Sequence, residues 1–136
     1  MKKYELLSTL LSCFFVSCIH TDTPDINGMW QLTSIQDRTG CTQTIDTIYY
    51  SFQGQKLFTC TLLNAGPLYS DPTIVLYGYV NFPAQNQLHI QMDQWTAPYL
   101  SFLPWRSESV NYFIRKLTSK EMILEDDGVI YRLNKF

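Results

Sequence analysis

Positive charge is scarce in this chain and never clustered. Its 136 residues include ten Lys and Arg, and no basic run is longer than the pair Arg115-Lys116. The formal charge is −2. Without residues 1–17 the chain loses Lys2, Lys3 and Glu5, which leaves eight basic and eleven acidic side chains and a charge of −3. A nucleic-acid partner, or an anionic membrane bound through charge, needs a clustered positive field, and the sequence shows none. Histidine is almost absent. His20 and His89 are the only two, and neither has a metal-ligand spacing with Cys, Asp or Glu. No Gly-rich phosphate loop, nucleophile elbow or His-Glu-x-x-His motif occurs. The residues therefore propose no catalytic group, no metal and no cofactor, and an enzyme is a distant third reading. Alanine is scarce, and no segment of ten or more residues keeps a 3.6-residue period, so helices are expected to be short or missing. No apolar run approaches the roughly twenty residues that span a bilayer as a helix.

Aromatic residues are abundant, with nine Tyr, eight Phe and three Trp, a bias that favours strands. The N-terminus reads as an address. Lys2-Lys3 precede an apolar run from Leu6 to Val16, the length of a secretory signal core. Phe15-Val16-Ser17-Cys18 resembles the lipobox of bacterial lipoproteins, with Phe15 where the motif usually has Leu. Leu10-Leu11-Ser12-Cys13 is a second match, but cleavage there would leave Phe14-Phe15-Val16 exposed on the mature chain. The resemblance implies a signal peptide over 1–17, acylation of Cys18 and anchoring to a membrane. Residues 18–26 are polar, contain Pro24 and read as a flexible tether. Ile19 stands where an Asp would argue for inner-membrane retention, so the resemblance favours the outer membrane and leaves its periplasmic or surface face open.

Residues 27–136 read as one domain of eight strands, over 29–35, 45–52, 57–63, 73–82, 87–92, 109–117, 121–125 and 129–136. Gly54, Asn86 and Asp127-Gly128 mark turns. Gly78, inside the most apolar strand, suggests a bend or bulge. Eight short strands in sequence leave two bare edges unless the sheet closes, so an up-and-down antiparallel β-barrel is expected, with a two-sheet sandwich as the alternative. If Tyr50, Phe52, Phe58, Leu76, Ile90, Tyr112 and Ile114 all face inward, such a barrel is nearly filled. The loop 93–108 holds the candidate contact residues Trp95, Tyr99, Phe102, Trp105 and Arg106. These aromatics either cap the barrel or meet a partner. Cys41 and Cys60 are a candidate disulfide for an oxidising compartment, although the strand-two hairpin sets Cys60 opposite Ile48. His89 is expected on the outer face of its strand.

Gly28-Met29-Trp30 is similar to the Gly-x-Trp signature of lipocalins. The tail from Phe113 to Phe136, together with Ile48–Phe52 and Tyr77-Gly78-Tyr79, looks like small lipocalin-like domains of Gram-negative lipoproteins of unknown function. The resemblance implies that Gly28, Trp30 and Arg132 close one end of the barrel, with Arg132 or Lys135 over the Trp30 ring. It also implies a small apolar or amphipathic ligand in or at the mouth. The alternative is a filled barrel that docks on envelope proteins or on glycan through its loops.

Overall fold

Side chains alternate in and out along nearly every strand, and the inward set closes on itself. The computed structural model describes residues 25–64 and 73–136. Cys18, His20 and the signal segment lie outside the described residues. The strands are β1 Gly28–Gln36, β2 Thr42–Thr44, β3 Ile48–Gln53, β4 Leu57–Leu62, β5 Ile74–Ala84, β6 Gln87–Met92, β7 Ser109–Leu117, β8 Glu121–Asp126 and β9 Val129–Lys135. All pairings are antiparallel between neighbours, and β1 also pairs with β9, so the eight long strands form a closed barrel rather than a sandwich. The connections 37–47, 93–108 and 127–128 lie at one end, the mouth, with the end of β4 at Leu62 and the start of β5 at Ile74. The hairpins near 54, 85 and 119 lie at the other, with Asp25–Asn27 and the C-terminal Phe136.

β2 is the one strand that the sequence does not predict. Asp37 creates it by accepting hydrogen bonds at Oδ1 from the amides of Thr39 (2.9 Å) and Cys41 (3.0 Å) and from Thr39 Oγ1 (2.7 Å). These bonds, the Thr39 hydroxyl's first among them, hold the Asp37 carboxyl below its usual range. The turn folds 42–44 back against Ser34–Gln36.

The closed end is built around Trp30. Its Nε1 donates to the carbonyl of Ile26 at 2.9 Å. Ile26, expected on the tether, is fully buried. Lys135 Nζ lies 4.5 Å from the Trp30 ring centroid and donates to the Asn27 carbonyl. Gly28 makes room for it, since a Cβ there would come within 2.5 Å of Lys135 Nζ, and its φ of +111° suits glycine. Arg132 does not take this position. Trp30 faces Lys135 across the ladder, whereas Arg132 faces Ser34 and lies between the inward Tyr131 and Leu133.

The seven residues whose inward orientation would fill the barrel are all buried. Phe58 packs against Tyr50 and Phe52 with ring centroids 5.4 and 5.2 Å apart. Tyr112 meets Tyr131 at 5.1 Å. Gly78 does not mark a bulge. It pairs regularly with Phe58 and Met92, and the register shift of β5 falls between Asn81 and Ala84. Its missing side chain serves close packing, because a Cβ would lie 2.6 Å from the Gln91 carbonyl oxygen.

The expected disulfide is absent, and both cysteines are free. Cys60 faces Tyr50 and, through it, Trp30. Cys41 lies beside Asp37, seven residues further along β1 and about 20 Å away at strand rise. A bridge needs Cα atoms within about 7 Å. Cys60 instead serves as a small buried side chain, and burial pushes its thiol pKa well up.

Tyr50 and Tyr112 share a buried hydrogen bond between hydroxyls 3.1 Å apart. Burial raises both phenols well above their ordinary value of 10.0. They stay neutral in the fold while the unfolded chain ionises near that value. Their contribution to stability is therefore full below about pH 10 and is lost as pH rises above it. Each phenol adds a slope of about 1.4 kcal/mol per pH unit in that window. Tyr50→Phe is expected to shallow the alkaline decline by about one such slope, as measured by urea unfolding at a series of pH values.

Candidate functional site

The loop between β6 and β7 is pinned at its base. Met92 N donates to the Glu108 carbonyl at 2.8 Å, and Asp93 N donates to the Tyr77 carbonyl at 2.9 Å. Asp93 then caps a 3-10 helix, Gln94–Phe102, by accepting from Trp95 N at 3.1 Å. Buried Thr96 and Leu103 fix the helix to the barrel. Arg106 turns the chain with φ +54°.

This arrangement separates the five candidate residues. Trp105 faces the barrel, with its ring 5.9 Å from Tyr50, 6.0 Å from Phe58 and 6.2 Å from Tyr112. Its Nε1 donates to the Ser107 carbonyl at 2.8 Å. It covers the filled interior as a plug. Trp95 faces solvent and is 78% exposed, Phe102 is 38% exposed, Tyr99 is half-buried and Arg106 is exposed.

Trp95 and Tyr99 share a concavity of about 300 Å³ with Val75 and Tyr77 of β5. A second concavity of about 260 Å³ lies on the other side of Tyr77, walled by Leu57, Thr59 and Tyr79. Asp93 lines both. Tyr77 and Tyr79 point outward and are 61% and 57% exposed. The outer wall of β4 and β5 therefore carries an aromatic strip that continues into the mouth loop. Reasoning from the loop alone misses Tyr77 and Tyr79. The available signal is that β5 is apolar at both parities, with Val75, Tyr77 and Tyr79 alternating with Leu76 and Val80.

Among the described residues, no group of three or more His, Cys, Asp or Glu could hold a metal. His89 stands on the outer side of β6, with Nδ1 2.7 Å from Asn111 Oδ1 across the ladder.

The split between plug and exposed face is measurable. Trp105→Ala is expected to lower unfolding stability by about 3 kcal/mol through the lost apolar contacts. Trp95→Ala is expected to change it by less than about 0.5 kcal/mol. Chemical denaturation of both variants checks this.

The barrel has solved counterparts. A lipocalin-like protein from Bacteroides uniformis superposes with a TM-score of 0.71 at 21% identity, over 82% of this chain and 99% of that one. An uncharacterized protein from Bacteroides eggerthii gives 0.68 at 25% identity, over 82% of this chain and 100% of that one. Japanin from Rhipicephalus appendiculatus, solved bound to cholesterol, gives 0.58 at 14% identity, over 85% of this chain and 79% of that one. No curated protein is significantly similar in sequence. The profile of the lipocalin-like domain matches residues 11–136, nearly the whole sequence, and this chain belongs to that family.

Proposed function

We propose that this chain is an exported outer-membrane lipoprotein, anchored through acylated Cys18, and that its barrel is a non-enzymatic binding module. Its partner is an envelope glycan, held on the outer aromatic wall. One observation carries this reading: the inward positions are filled and covered by Trp105, while Tyr77, Tyr79 and Trp95 stand exposed around two concavities. A sugar ring has apolar C–H faces and hydroxyl edges. Aromatic faces match the former, and Asp93, Ser51, Gln53 and Thr59 supply hydrogen-bonding groups for the latter.

A second reading is a small apolar ligand at the mouth. The cholesterol bound to Japanin supports it by fold alone. In this chain such a guest would have to displace Trp105 from Tyr50, Phe58 and Tyr112.

Tyr77→Ala and Trp95→Ala are each expected to weaken binding to polysaccharide released from a Gram-negative envelope at least tenfold, about 1.4 kcal/mol, with an unchanged melting temperature. Unchanged binding in both variants, or binding of a sterol probe that responds only to Trp105→Ala, overturns the glycan reading. The anchor is checked separately. Cys18→Ser is expected to abolish incorporation of labelled palmitate and to release the protein from the membrane fraction.

A further inference from the structure

The cations that look scattered along the sequence are gathered by the topology. Lys56, Arg115, Lys116, Lys120 and Lys135 all lie at the closed end, on or beside the hairpins and the C-terminal strand. Among the described residues, the carboxylates that meet them are Asp25 and Glu121 at that end, and Glu125, which stands further along β8 toward the mouth. Glu121 pairs with Lys116 at 2.9 Å, and Glu125 reaches Arg115. The mouth end carries Asp37, Asp46, Asp93, Glu108, Asp126 and Asp127 against Arg38 and Arg106. Side chains thus leave an excess of two positive charges at the closed end and four negative charges at the mouth.

The chain also leaves the barrel at the positive end. Asp25, the first described residue, lines a concavity of about 520 Å³ with Asn86, Arg115 and Lys116. Between it and Cys18 are six residues, a reach of at most about 25 Å even when fully extended. Exposed Met29 and Phe136 stand at the same end, apolar groups suited to the headgroup boundary.

We propose that the closed end docks on the anionic headgroup surface of the membrane that holds Cys18, which turns the mouth and the aromatic wall away from the lipid. This inference rests on the anchor proposed above. The tether confines the barrel near the surface, and the charge polarity selects which end faces it. Basic side chains are drawn to anionic headgroups within about a Debye length, roughly 10 Å at 0.1 M salt, and the acidic mouth is repelled.

Cys41 offers a native reporter. It is exposed at the mouth end, whereas Cys60 is buried and inaccessible to alkylation in the fold. The full-length lipoprotein, purified from a Gram-negative host and labelled at Cys41 with a donor dye, is reconstituted on vesicles carrying an acceptor on their headgroups. Flotation with phosphatidylcholine vesicles reports the anchor. Energy transfer is expected to be at least twofold lower on vesicles with one-third phosphatidylglycerol than on pure phosphatidylcholine. Either 0.5 M salt or the double variant Lys56→Glu with Lys120→Glu, two exposed hairpin-tip side chains, should restore the higher value. A protein that floats but transfers equally on both vesicles overturns the orientation and leaves the anchor standing. A protein that does not float with neutral vesicles overturns the anchor and this inference with it.

Discussion

The pairing of β1 with β9 is the contact on which the rest of the barrel depends. Without it the sheet has two bare edges and no enclosed interior. Three residues from the two ends of the domain secure it. Trp30 fills the closed end, Lys135 lies over its ring, and Gly28 lacks the carbon that would exclude that ammonium. A cation over an aromatic face contributes on the order of 1 kcal/mol. Its larger effect is to fix how the last strand meets the first. Ile26 is drawn in by its carbonyl and buried, so the domain begins before its first strand.

Closure makes an inside, and aromatic side chains use it up. Phe58 meets Tyr50 edge to face and Phe52 at a tilt, one hydroxyl of the Tyr50–Tyr112 pair donates to the other, and Trp105 lies over the set. A barrel of this width is at the limit where side chains alone can fill it. With the inside filled, exposed aromatic groups stand on the wall and rim. Tyr77 and Tyr79 lie there because β5 is apolar on both of its faces. The charge follows the same axis, basic at the closed end and acidic around the mouth.

Much of this was legible in the residues. Period-two alternation offered Tyr50, Phe52, Phe58, Ile90 and Tyr112 as an inward set without deciding the parity, and Asp127-Gly128 marked its hairpin, with φ of +48° and +82° as that turn demands. What the sequence hid were properties of three-dimensional adjacency. Arg132 and Lys135 both lie near the end of the last strand, and only parity against Trp30 separates them. Cys41 and Cys60 look like partners until the Asp37 turn carries one of them to the mouth. Gly78 read as a defect in a strand, and it is a close-packed position whose Cβ would meet a backbone oxygen. Trp95 and Trp105 share one loop and one composition. The cap at Asp93 and the turn at Arg106 send them in opposite directions.

Trp105 has a wider consequence. Its ring rests on the inward aromatics from the mouth side, where the apolar end of a guest molecule would otherwise lie. The chain thus supplies its own occupant covalently, at an effective concentration that no free ligand can match. A small residue at that position would leave a hollow above the inward aromatics, which keep the interior itself filled.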